Sequence, residues 1–267
     1  MKKVSSLSDF SALCKAHSGA ISNCYLLREE VETLVAEGTL LFSQSGAGVV
    51  FFENCDDFYR VRYLAAEDIS ALFHADKPLV CELSGTSSRG IPGLETHAET
   101  LEKGGFSPAG GAARLNRTLE DFAVPADFTK ICEVRPAAEA QIPAISTLWR
   151  AAFDALTVAL PSKKKLANLV AEGRVLVAVS PSGEVCGAAF TTPRGATGEL
   201  SHIAVDSGFR GGGVGSALEL AALSALKAAG AKTVRLWVLD GATAALNFHK
   251  KFGFSPDGRI SRLYIKK

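Results

Sequence analysis

The chain has 267 residues and a formal net charge of +1 at pH 7, with 47% apolar and 21% charged residues. That length suits two domains, and that apolar content suits a folded chain with a sizeable core, which excludes disorder. A charge so near zero supplies no global field for nucleic acid or an anionic membrane, so neither is expected as a partner and any polyanion site has to be local.

Met1-Lys2-Lys3 makes a basic start, but no apolar run of signal-peptide length follows, and no segment approaches 18 uninterrupted apolar residues. A cytoplasmic chain is expected. The six cysteines are scattered, with no C-x-x-C pair and no histidine at metal-ligand spacing. They read as reduced, mostly buried thiols, and no metal site is expected.

In chain order, Ala36-Glu37-Gly38 leads into an apolar segment and then Val49-Val50-Phe51-Phe52. A strand is expected over 58–64, where Arg60 and Arg62 alternate onto one side. Surface ion pairing is their first reading and recognition of an acidic group the second. A short link over 65–77 leads to a strand over 78–83. Val124-Pro125-Ala126-Asp127 interrupts the apolar periodicity, so a domain boundary is expected between 121 and 130, giving domains 1–125 and 126–267.

Beyond it, a strand reaches Val134, helices are expected over 139–153 and 162–171, and strands over 174–179, 185–191 and 198–205. A glycine run then opens a helix to Ala229. A strand over 233–239, a helix over 242–251 and a short last strand complete the chain. Strands alternating with helices imply an α/β sheet.

The halves echo each other. Ala36-Glu37-Gly38 is repeated as Ala171-Glu172-Gly173, again before an apolar strand. Gly105-Phe106-Ser107-Pro108 matches Gly253-Phe254-Ser255-Pro256, and Arg114-Leu115 matches Arg262-Leu263, both at an offset of 148 residues against 135 for the first match. The second copy is therefore about 13 residues longer in its middle, and that is where the glycine run lies.

Arg210-Gly211-Gly212-Gly213-Val214-Gly215 sits where a strand hands over to a helix. Glycines let backbone N–H groups come close to a ligand and the helix N-terminus adds its dipole, so a phosphate can be held without many basic side chains. A Walker loop fails because Ser216-Ala217 follows in place of Lys-Ser/Thr. A dinucleotide fingerprint fails because Ser216 or Leu218 falls where its last glycine belongs. The pattern Gln/Arg-x-x-Gly-x-Gly/Ala fits in full.

With the strand Ile203-Ala204-Val205-Asp206 before it and the helix ending Lys250-Lys251-Phe252-Gly253-Phe254 after it, the segment 200–218 resembles the acyl-CoA signature of the GNAT superfamily. The resemblance covers 131–267. It implies two GNAT-like domains, each a mixed, central, mostly antiparallel β-sheet flanked by helices, the first a degenerate copy without the CoA pyrophosphate loop. It further implies acetyl-CoA as co-substrate, with Ile203, Ala204 and Val205 along the pantetheine arm. Gly211, Gly212, Gly213, Val214, Gly215 and Ser216 would lie around the pyrophosphate, and Arg210 near the phosphates or at a solvated helix end. Lys163-Lys164-Lys165 reads as a solvated helix start, with contact to the CoA 3′-phosphate as the second reading.

Acyl transfer to an amine needs a base, a polarised carbonyl and a proton for the departing thiolate. Glu199 is the candidate base, on the strand of Ile203 and Val205 and on their side unless a bulge intervenes, with His202 on the opposite side. In many members the acid is a tyrosine four residues before the final Gly-Phe glycine; here that position is His249. The asparagine seven residues before that tyrosine is Ala242 here, and Asn247 is out of register. The leading expectation is an N-acetyltransferase acting by direct attack on a small-molecule amine. A non-catalytic acyl-CoA sensor is the alternative, and tRNA-dependent aminoacyl transfer is disfavoured by the intact loop.

Overall fold

The computed structural model describes residues 1–125, 132–158 and 160–267. In chain order it contains β1 (Lys2–Lys3), α1 (Leu7–Ala16), β2 (Ile21–Ser22), α2 (Arg28–Glu37), β3 (Leu40–Ser45), β4 (Gly48–Asn54), β5 (Tyr59–Ala65), β6 (Leu79–Thr86), α3 (Leu94–Lys103) and β7 (Ser107–Thr118). There follow β8 (Glu133–Pro136), α4 (Ile142–Ala152), α5 (Ala155–Val158), α6 (Lys163–Ala171), β9 (Val175–Val179), β10 (Val185–Arg194) and β11 (Thr197–Val205). The last elements are α7 (Val214–Ala228), β12 (Thr233–Leu239), α8 (Thr243–Lys250) and β13 (Ser255–Lys266).

Two compact units result, one from Met1–Ala112 with Gly258–Lys267 and one from Ala113–Asp257. The first therefore recruits most of the last strand, which runs 12 residues and is not the short strand expected. The boundary expected at 125/126 abuts residues 126–131, which lie outside the described residues.

In the first unit the strands run β1-β3-β4-β5-β6-β13. The Val49-Val50-Phe51-Phe52 run is apolar at every position because both faces are covered. Val49 and Phe51 pack with Phe10 of α1 and Val31 of α2, while Val50 and Phe52 pack with Tyr63, Phe73 and Leu101 of α3. Strands β5 and β6 are parallel and pair only at Tyr59–Leu79, Arg60–Val80 and Val61–Cys81. Beyond that they part, and the gap is filled by the chain itself. β2 pairs with β5 at Ile21–Ala65 and Ser22–Leu64. The Asn23 side chain accepts from the Tyr63 N–H at 2.7 Å and donates to the carbonyls of Val61 and Glu82.

In the second unit β7, β12, β11, β10, β9 and β8 are neighbours. One face carries α7, whose Leu218, Leu220, Leu223 and Leu226 are buried against Leu115, Leu200, Val234 and Leu236. The other face carries α4 and α6 over Val175, Val177, Ala188, Phe190 and Ala204. Helix α7 lies so close to the sheet that a Cβ on Gly187 or Gly198 would come within 2.7 Å of Leu218 or 2.8 Å of Leu226. Truncating Leu218 to alanine there costs about 2–5 kcal/mol.

The repeat extends to single hydrogen bonds. Gly38 (φ 69°) donates to Val35 O and Thr39 N to Leu34 O; Gly173 (φ 68°) donates to Val170 O and Arg174 N to Leu169 O. Each Ala-Glu-Gly is thus the same left-handed helix terminus, which glycine adopts without steric cost. Gly105-Phe106 and Gly253-Phe254 repeat it, with Phe106 N donating to Leu101 O and Phe254 N to His249 O. Leu101 therefore stands in the first copy where His249 stands in the second. Among the described residues no helix is long and apolar enough to cross a membrane.

Candidate active site

The second unit repeats the parting of parallel strands but leaves it open. β11 pairs with β12 only at Thr197–Thr233, Gly198–Val234 and Glu199–Arg235, although β11 continues to Val205 and β12 to Leu239. Among the described residues, the β12-side edge of β11 beyond Glu199 has no strand partner. An extended chain entering this wedge meets the backbone groups of Ile203, Ala204 and Val205, the usual requirement for strand addition.

The wedge leads to the glycine loop. Asp206 holds the start of a 3-10 turn, Ser207–Phe209, by accepting from the Gly208 N–H at 2.9 Å. Gly211 (φ 79°) and Gly213 (φ 84°) adopt left-handed backbone, which a Cβ disfavours. Gly213 is the N-cap of α7 and supplies no side-chain cap, so the first-turn amides of Val214, Gly215 and Ser216 keep the unfilled donors of a helix start. A Cβ on Gly215 would stand 3.4 Å from the Phe248 ring and 3.6 Å from Val205. This cradle of uncapped amides at a dipole terminus fits a pyrophosphate. Exposed Arg210 donates from Nε to Val205 O at 3.1 Å, so it clamps the strand end to the loop.

One expectation is overturned. Ala188 pairs with Ala204 and Phe190 with Ser201, so Ala189 alone opposes both His202 and Ile203, and His202 takes φ 52°. This bulge reverses the alternation. Leu200 before it and Ile203 and Val205 after it lie on the α7 face, while Phe190 and Ala204 belong to the α4 face. Glu199, two before Ser201, consequently shares a face with His202 and not with Ile203 and Val205. Its carboxylate is 4.0 Å from Arg194 and about a third exposed, at 36%. His202 stacks on Phe190, touches Trp149 and Phe153, and has Nε2 3.3 Å from Val158 O, the setting of a core histidine.

His249 is buried on the α7 face. Its Nδ1 lies 3.3 Å from Oε1 of Glu219, which has no exposure at all. Glu219 Oε2 makes no hydrogen bond among the described residues. Arg117 of β7 donates to Phe252 O, and burial pulls its guanidinium down while Glu219 opposes that shift. Glu219 was missed in the sequence. The available signal was a lone acid in the apolar run Ala217-Leu218-Glu219-Leu220, a burial that needs a partner. Ala242 caps α8 without a side-chain bond, and Asn247 is exposed, so it does not take over the asparagine position.

Lys163, Lys164 and Lys165 are exposed, as expected of a helix start capped by Ser162. Arg62 differs from the surface pairing expected of it, since its 2.9 Å ion pair with Glu53 is largely buried. None of the six cysteines is in a disulfide, and only Cys81 and Cys186 are buried, fewer than expected. Among the described residues no cluster suited to a metal ion occurs.

The acetyltransferase (GNAT) family profile matches residues 142–254, which contain the wedge, the loop and His249. A mycothiol acetyltransferase of Streptosporangium roseum is 43% identical over 58 residues, 22% of this chain and 17% of that protein's length. A tandem GNAT protein from the clavulanic acid biosynthesis pathway superposes with TM-score 0.61 at 14% identity, covering 99% of this chain and 97% of that one. A GCN5-related N-acetyltransferase from Sphaerobacter thermophilus gives 0.56 at 16% identity, over 96% and 90%.

Proposed function

We propose that this chain, whose residues 142–254 match the acetyltransferase (GNAT) family profile, moves an acetyl group from acetyl-CoA to the amine of a small molecule by direct attack in a ternary complex. The observation that carries this reading is the open wedge beside β11, ending at a glycine-led, uncapped helix start. Domain 126–267 does the chemistry in this reading, and 1–125 is a degenerate copy. Its equivalent wedge holds Asn23, and its β5–β6 link carries only a 3-10 turn, Ser70–Leu72, in place of loop and helix. One acetyl-CoA per chain follows. A cytoplasmic location is part of the proposal.

Ile203, Ala204 and Val205 would hold the pantetheine arm through their backbone. The amides of Gly211, Gly212, Gly213, Val214, Gly215 and Ser216 would hold the pyrophosphate, with Arg210 fixing the loop. When bound, acetyl-CoA supplies a thioester carbonyl open to attack. Glu199, at the mouth of the wedge, takes the proton of the attacking amine directly or through one water. The Val205 amide or a neighbouring one polarises the carbonyl. The amine nitrogen bonds to the carbonyl carbon and the carbon–sulfur bond breaks. His249, as imidazolium, gives the sulfur its proton from Nε2, because Nδ1 is held by Glu219.

Base and acid then approach the wedge from opposite faces of the sheet. A small-molecule acceptor is preferred over a protein lysine because no acidic or aromatic peptide-binding tract stands out in the sequence. Glu199→Gln and His249→Phe test the chemistry; each is expected to lower kcat by about 10²–10⁴-fold with acetyl-CoA binding retained. Full-rate transfer by both variants defeats the assignment. If the unaltered chain binds acetyl-CoA and acetylates no amine in a broad panel, the non-catalytic sensor, favoured by the missing tyrosine and asparagine, replaces this reading.

A further inference from the structure

The face of the second unit's sheet opposite α7 is covered by α4 and α6 only over β9, β10 and the end of β11. Along β12, Val234, Leu236 and Val238 are buried on the α7 side, so Arg235 and Trp237 rise from the other face, where Trp237 is 39% exposed. Large aromatic surface left open on a rigid sheet is a common mark of a binding site.

The indole is also held in place. The Arg114 guanidinium lies 5.8 Å from its ring centre and is itself fixed by a 2.8 Å ion pair with Asp257. Arg235 is the register partner of Glu199 on the neighbouring strand, so the two charges rise side by side, about 4.8 Å apart at the backbone. They form no ion pair with each other among the described residues. The Arg235 Nε is shut off from solvent and makes no hydrogen bond, and neither does Asn116 Oδ1 on the adjacent strand β7.

A buried guanidinium donor without an acceptor is costly and marks a place where an anion completes the set. We propose that the acceptor is an α-amino acid with a flat apolar side chain: its ammonium on Glu199, its carboxylate on Arg235, and its side chain on Trp237. Glu199 and Arg235 are the last paired residues before the wedge opens, so a zwitterion held between them presents its amine where the acetyl group enters. Glu199 first takes one proton from the ammonium, the freed amine forms the amide bond at the α-nitrogen as the carbon–sulfur bond breaks, the second nitrogen proton passes to solvent, and the departing thiolate takes its proton from His249. This inference rests on the acetyl-transfer reading for its chemistry but not for its binding geometry.

The test uses two readouts on the full chain. Titration calorimetry on the CoA-saturated protein compares phenylalanine with phenethylamine, phenylalaninamide and alanine, and steady-state acetylation compares the same four with acetyl-CoA. Phenylalanine is expected to bind and react better than either carboxylate-free analogue by about 10–100-fold. Arg235→Gln is expected to erase that preference without altering acetyl-CoA affinity, and Trp237→Ala to erase the preference of phenylalanine over alanine. Equal use of phenethylamine and phenylalanine, or a preference that survives Arg235→Gln, overturns the proposal. Binding with the stated preference but without acetylation upholds this site while defeating acetyl transfer. Acetylation of amines without that preference does the reverse.

Discussion

Asn23 gives the sharpest test of why the first unit has a closed wedge. It is 4% exposed, accepts from the Tyr63 N–H at 2.7 Å, and donates to Val61 O at 3.3 Å, Glu82 O at 3.2 Å and the Cys81 sulfur at 3.1 Å. In Asn23→Ala the three bonds to backbone are lost at about 1 kcal/mol each, and the Tyr63 amide left without an acceptor pushes the total from about 3 toward 4 kcal/mol. That is more than a hundredfold in the unfolding equilibrium, since each 1.4 kcal/mol is about tenfold. With an m-value near 2 kcal/mol/M, the urea midpoint should fall by about 1.5–2 M. Asn23→Asp should do no better, because a carboxylate keeps the acceptor and turns a negative charge on two carbonyls. Urea unfolding followed by circular dichroism measures the midpoint, and calorimetry with acetyl-CoA measures stoichiometry. A midpoint change under about 0.5 M refutes the plug. Two acetyl-CoA bound per variant chain refutes the further claim that a wedge without a glycine loop cannot hold one.

Three other outcomes follow from the same structure. Gly213→Ala places a Cβ on a residue at φ 84° at the start of α7, which should cost about 1–2 kcal/mol and weaken acetyl-CoA by roughly tenfold in calorimetry; unchanged affinity would mean the loop does not hold the pyrophosphate in this conformation. Burial lowers the His97 pKa below its ordinary 6.5, so the unfolded chain takes up the proton first, and the stability present above about pH 6.5 should decline as pH falls through the folded value. His97→Phe should flatten that slope in urea titrations between pH 7 and 5. Finally, the Cys24 thiol is lowered, first by the hydrogen bond from Cys14 and also by Arg62, while burial pushes Cys81 up. Iodoacetamide at pH 7.5 should therefore modify Cys24 before Cys81, as read by peptide mass spectrometry, and the opposite order would refute the lowering of the Cys24 thiol.

Much of the fold was legible because it is local. The paired Ala-Glu-Gly and Gly-Phe motifs announce left-handed helix ends, a conformation glycine adopts without strain, and those ends recur at offsets of 135 and 148 residues with the same hydrogen bonds. The loop 210–215 was legible for the same reason, since positive-φ glycines before an Ala/Leu helix specify an uncapped helix start.

Tertiary structure decided which side chains meet. A single extra residue opposite Ala189 moves Glu199 away from the face of Ile203 and Val205, because strand sidedness has period two and any slip inverts it. Glu219 meets His249 only through the packing of α7 on α8, 30 residues apart in the chain, and no local periodicity encodes that pair. The wedge itself is a non-event in sequence terms, the place where β11 and β12 cease to pair. Asn23 fills the wedge of the first unit because burial of a polar side chain depends on what the completed fold brings within hydrogen-bond reach.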